Sequence, residues 1–129
     1  MIGPAAQKAI WSALTAANVC GGRIYDMPPR EAVFPYASIG DEQVIDDSDS
    51  CQDGWEVFSD IHVWSRPVSG SKVEVKTEAA AAIAAVLGIS SLAGFSLVAV
   101  FHETTRFLRD PDGLTEHGII TIKMTVSPA

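Results

Sequence analysis

Hydrophobic and polar residues alternate twice in the last third of this chain. Phe95, Leu97, Ala99, Phe101 and Phe107 fall on one side of a first run, and Ile120, Ile122, Met124 and Val126 on one side of a second. A period of two over such lengths predicts two strands, each with a buried face. Between them, Arg109-Asp110-Pro111-Asp112-Gly113 places Asp, Pro and Gly at the first, second and fourth positions of a type I turn, so the two strands form a hairpin. Val98, Val100 and Ile119 lie on the opposite side. That face is therefore expected to be covered too, within the chain or by another copy.

Upstream the period changes. Ala6, Ile10, Ala13, Leu14 and Ala17 recur at helical spacing behind Gly3-Pro4, which predicts a first helix over Met1–Asn18, ended by Gly21-Gly22. A short extended piece at Arg23–Asp26 follows. A strand begins at Phe34 and continues toward Ile45, with Pro35 confining it to a strand start or an edge. Asp46–Gly54 reads as a polar loop or hairpin tip. In the next strand, Trp55–Ser65, one face carries Trp55, Val57, Ile61 and Val63 and the other Phe58, His62 and Trp64. Ser71-Lys72-Val73-Glu74 has capping-box spacing for a second helix running to Leu87, with Val75, Ala79, Ile83, Val86 and Leu87 inward and Gly88 closing it. The order is helix, short strand, two strands, helix, two strands. It predicts an α+β fold: a mainly antiparallel sheet, both helices packed on one face, and a projecting acidic hairpin.

At 129 residues, residues 1–129 are expected to form one domain. No run approaches the roughly 20 apolar residues of a membrane span, and no basic-then-apolar leader opens the chain, so a non-exported protein away from membranes is expected. Cys20 and Cys51 are expected to be free. The net charge of −7 is unevenly placed: nine of the sixteen acids, and none of the nine Lys and Arg, lie between Glu31 and Ser65. Gripping nucleic acid requires the reverse, clustered bases that displace counterions from phosphates. The acidic stretch reads either as a solvated loop or as a surface that repels a polyanion.

The residues offer no catalytic or metal-binding pattern. His62, His102 and His117 have no ligand-pair spacing, and no Cys-x-x-Cys accompanies them. Asp46–Gly54 departs from the calcium-loop pattern, with Gly54 misplaced and no Glu at the twelfth position. In the Pro-Gly turn, Asp110 and Asp112 read as acceptors for nearby backbone amides. No nucleophile elbow, phosphate loop or dinucleotide fingerprint is present, so neither enzyme activity nor a metal or cofactor is expected.

Four segments taken in order resemble the tail terminator (tail completion) proteins of long-tailed bacteriophages and gene transfer agents. They are Gly22-Arg23-Ile24-Tyr25-Asp26, Phe34-Pro35-Tyr36-Ala37-Ser38-Ile39-Gly40-Asp41-Glu42, Ile61-His62-Val63-Trp64-Ser65-Arg66, and Phe107-Leu108-Arg109-Asp110-Pro111-Asp112-Gly113-Leu114-Thr115. The likeness runs from about Ile10 to Met124. It implies a structural virion protein, a homo-hexamer whose ring ends the tube of the major tail protein and docks the head-tail connector or stopper protein. DNA would pass through its lumen without specific binding. Its place would be the neck region of the virion tail, reached through the bacterial host cytoplasm during assembly. On this reading Asp46, Asp47, Asp49 and Asp53 are expected at the lumen or its rim. Phe58, Trp64, Val98 and Val100 are expected on the uncovered strand faces as a subunit interface. Two alternatives stay open: another neck, head-completion or tube-like subunit, and a small metal-binding enzyme.

Overall fold

The computed structural model describes residues 1–129. Its elements are α1 (Gly3–Ala16), a short 3-10 turn (Val19–Gly22), β1 (Ile24–Tyr25), β2 (Tyr36–Asp46), β3 (Trp55–Ser65), α2 (Val73–Leu87), β4 (Phe95–Arg109) and β5 (Glu116–Pro128). One five-stranded sheet has the order β1-β2-β3-β5-β4; β1 runs parallel to β2 and every other pair is antiparallel. The α+β fold with both helices on one face stands as the sequence pattern predicts.

α1 begins at Pro4 in its first turn and buries Ala6, Ile10 and Leu14, one residue per turn on a single stripe. Asn18 and Cys20 then take left-handed backbone angles, which ends the helix. The Cys20 N–H donates to Glu78 of α2 at 2.8 Å, tying this turn to the second helix. Burial beside Glu78 pushes the Cys20 thiol up to about 12, so it stays a packed, protonated group.

α2 departs from its expected start and stripe. Ser71 Oγ accepts the Val73 N–H, but Glu74 does not close a capping box. Its carboxylate instead accepts from the Ser65 hydroxyl at 2.6 Å, because Ser65 is buried at the end of β3 and needs a partner. The buried stripe is Val75, Ala79, Ala82 and Val86, while Leu87 is exposed. Alanine at two of these four positions lets the helix lie close on the sheet. Gly88 does end the helix, but in the right-handed region and not as a left-handed cap.

The helix-covered sheet face presents Ala37, Val57, Ile61, Val63, Ile120, Ile122, Met124 and Val126, which share one core with α1 and α2. β4 corrects the simple alternation. Bulges between Leu97 and Ala99 and between His102 and Thr104 each insert a residue and invert the faces. Phe95, Leu97, Val100 and Phe107 therefore pack against the core, whereas Ala99 and Phe101 pair with Thr125 and Lys123 on the other side. The hairpin turn forms as expected: the Gly113 N–H donates to the Asp110 carbonyl at 2.9 Å with Gly113 at φ 74°. The acidic hairpin is no free arm, since β3 pairs with β5 along its whole length, and only the loop beyond Asp46 leaves the sheet.

Candidate interaction surfaces

Two surfaces of the fold are open to a partner: the acidic loop and the sheet face opposite the helices. Residues 41–53 are all exposed. The loop closes through the Asp47 N–H on the Gly54 carbonyl (2.8 Å) and the Gly54 N–H on Ser48 Oγ (3.1 Å). Asp46 Oδ1 accepts the Ser48 N–H, and Asp49 Oδ1 accepts the N–H groups of Cys51 and Gln52, each at 2.8 Å. Those donors hold both carboxyls below the usual range, Asp46 through Ser48 and Asp49 through Cys51 and Gln52. The structure thus gathers Asp46, Asp47, Asp49 and Asp53 at one end of the sheet. Asp46 and Asp49 spend their oxygens on loop amides, and no three His, Cys, Asp or Glu converge to hold a metal. None of the nine acids from Glu31 to Asp60 forms a salt bridge.

The open sheet face is aromatic at one end. Trp64 on β3 lies directly opposite His117 on β5, and their rings stack at 3.7 Å and 10°. Tyr36 stacks on the far side of Trp64 at 6.3 Å, Phe34 continues the row at 5.2 Å, and the Arg66 guanidinium covers Phe34 at 4.6 Å. The Trp64 indole N–H donates to Ser38 Oγ at 3.2 Å. His62 Nδ1 and His117 Nε2 are 2.6 Å apart, one ring donating to the other. Burial, and then the neighbouring His62, lower the His117 pKa to about 4. Glycine is required at Gly40, because a Cβ there would come within 2.5 Å of the His62 ring.

Phe58 and Trp64 lie half-buried on this open face. Val98 is exposed at the first β4 bulge. Val100 is a correction: the bulge turns it to the helix side, opposite Met124 and against the core. Alternation places His62 and His117 on strands, and adjacency of β3 and β5 is what brings the two rings together. Their register across β3 and β5 carries no local sequence mark. His102 stays apart on β4, bonded to Thr105. The other end of the face is polar, with Asp60 accepting from Thr121, Glu56 from Thr125, and Lys123 paired with Glu103 at 3.6 Å. A groove of about 660 Å³ lies between α1 and β2, lined by Met1, Trp11, Glu42 and Val44 among others. These arrangements offer stacking, hydrogen bonding and unpaired charge, which suit a contact surface.

A family model described as tail completion protein gp17 matches residues 8–127. The tail completion protein gp17 of Bacillus phage SPP1 is 24% identical over 105 residues, covering 81% of this chain and 77% of that protein. Among solved structures, a chain of the virion of a native gene transfer agent particle superposes with a TM-score of 0.87 at 24% identity, covering 98% of this chain and 97% of that one. The structure of the bacteriophage SPP1 gp17 protein superposes with a TM-score of 0.62 at 26% identity, covering 95% and 88%.

Proposed function

The chain belongs to the tail completion protein gp17 family, and from that membership we propose that it is a ring-forming structural subunit of a phage or phage-like tail. Six copies close a ring on the end of the major tail protein's tube that meets the head, stop its growth and receive the connector or stopper protein, and DNA leaves through the lumen. Membership in a family of tail proteins, and not any missing site, sets the catalytic reading aside.

The observation that carries this reading is the family match over nearly the whole chain. The surfaces support it. A subunit that works alone gains nothing from exposed Val98, Phe101, Val44 and Ile45 along its sheet edges, whereas one that meets copies of itself covers them. Phe58 and Trp64 add contact area from the open face. The loop bearing Asp46, Asp47, Asp49 and Asp53 stands at the lumen or its rim, where unpaired carboxylates repel passing phosphate.

Trp64→Asp tests the reading. The substitution removes the centre of the aromatic row and should leave a folded monomer that does not close rings, giving tails of unregulated length or tails without heads. Electron micrographs showing normal particles with this variant would remove Trp64 from the interface. A ring mapped with the four loop aspartates on its outer wall would remove the lumen assignment.

A further inference from the structure

The sheet ends in two free edges. β1 covers β2 only at Ala37 and Ser38, so the stretch from Glu42 to Asp46 pairs with β3 on one side and with no strand on the other, where the start of α1 lies across a groove. β4 is the opposite outer strand, and beyond Phe95, which bridges to Leu92, no strand pairs with its outer edge. Exposed edges present unpaired N–H and C=O groups, a template for another strand. β2 and β5 run one way and β3 and β4 the other. A second copy placed beside the first by rotation about the strand direction therefore brings its β2 antiparallel to β4, continuing the alternation.

The two edges also match in level. Followed across the sheet, Val44 is level with Val57, Met124 and Val100; Ile45 with Glu56, Thr125 and Ala99; Glu42 with Ser59, Ile122 and His102. The free part of β2 starts at the bulge between Ile39 and Glu42, and its counterpart on β4 is bounded by the bulges at Leu97/Ala99 and His102/Thr104. Bulges terminate regular pairing, so both edges offer a short regular segment at the same height. Each segment carries apolar side chains that water would otherwise meet: Val44 and Ile45 are 38% and 43% exposed, Val98 and Phe101 63% and 46%. The Glu42 carboxylate, which has no salt-bridge partner, is level with the exposed imidazole of His102.

We propose that Glu42–Asp46 of one copy pairs antiparallel with Val98–His102 of the next, so that neighbouring subunits share one continuous sheet. The contact is heterologous, with β2 of each copy on β4 of its neighbour, and such contacts close into rings when the rotation permits. The inference rests on the ring reading above and adds the strands that make the joint.

Disulfide trapping tests it in the full-length chain, with the exposed Cys51 replaced by Ser. Ile45→Cys together with Ala99→Cys puts thiols on strand segments that face each other across the joint. Ile45→Cys with Arg106→Cys puts them at different heights. Oxidation of assembled particles should convert most of the first variant into covalent multimers up to ring size, and leave the second and the single-cysteine chains monomeric. As a measurement on the unaltered protein, backbone amides of residues 97–102 should exchange at least about tenfold more slowly in the particle than in the free subunit. Rings that form without the first cross-link, or that cross-link both pairs equally, or whose β4 amides exchange unchanged, overturn the edge joint while leaving the ring intact. A chain that forms no ring on tubes under any condition overturns both.

Discussion

The two long hairpins of this protein are built alike and use their acids in opposite ways. At the β4–β5 turn every carboxylate with a known contact has a job in the fold. Asp112 accepts the N–H groups of Leu114 and Thr115 and the Thr115 hydroxyl, meets Arg66 at 3.1 Å, and is held at about 2 chiefly by those amide and hydroxyl donors. Glu116, almost fully buried, takes the Arg109 guanidinium at 2.6 Å. At the β2–β3 loop no base approaches any acid, and only Asp46 and Asp49 serve their own backbone. One tip spends its charge inward, on closing a turn. The other leaves it in solvent, where charge acts only on something that comes near.

The largest expected break of this contrast is Arg109→Ala. It strands the Glu116 carboxylate inside the protein, with Oε2 already lacking a partner. Losing one member of a fully buried pair costs about 3–5 kcal/mol, and since the Arg109 side chain is half exposed, a loss of about 2–3 kcal/mol is expected. Chemical denaturation of the free subunit measures it. A loss below about 0.5 kcal/mol would mean that the turn tolerates loose charge as the loop does.

Acid sharpens the contrast further. The His117 ring has a folded-state pKa of about 4 against 6.5, so the unfolded chain binds the proton first as pH falls. Its contribution is whole above pH 6.5 and disappears between there and about 4. The groups around it are His62, Arg106 and Asp110, the last opposing the shift. Discounted for the solvent that reaches the pair, the loss is about 1–2 kcal/mol. His117→Gln should flatten this part of the stability curve. Asp46 and Asp49, whose carboxyls the loop donors hold below the usual value of 3.8, should contribute nothing to it until pH falls into the carboxylate range. An unchanged slope in the His117 variant would show that the acid sensitivity arises elsewhere.

The strands and helices were legible because each has a period of its own: two in β3 and β5, 3.6 in α1. The Pro-Gly turn was legible because Pro111 and Gly113 have few other uses. What stayed hidden depends on partners far along the chain. The two β4 bulges leave no mark in the residues themselves, yet they turn Val100 inward and Phe101 outward. Glu74 abandons its expected cap for Ser65, a buried hydroxyl nine residues earlier. The stack of Trp64 on His117 depends on which residue of β5 lies opposite β3, and that register is set by the whole sheet. The clustering of acid was visible at once. That Asp46 and Asp49 are tied to loop amides while Asp47 and Asp53 are not required the loop's geometry.

The smallest expected effect on the fold is also the most telling about use. Replacing Asp46, Asp47, Asp49 and Asp53 together by Asn removes four charges but keeps an oxygen acceptor at every position. The Ser48, Cys51 and Gln52 amides that Asp46 and Asp49 now serve therefore keep their partners. Stability of the free subunit should hardly change, and tail length should stay normal, because the core is untouched and Asp46→Asn, at the end of the β2 edge, leaves the backbone N–H and C=O of that edge in place. If the loop stands where DNA passes, delivery should slow, since an uncharged wall no longer repels phosphate, and the difference from the unaltered particle should shrink as salt is raised. Delivery at the unaltered rate in low salt would make the loop a solvated tip and nothing more. A marked fall in stability would instead place these acids with Glu116 and Asp112, in the service of the fold, and erase the distinction between the two hairpins.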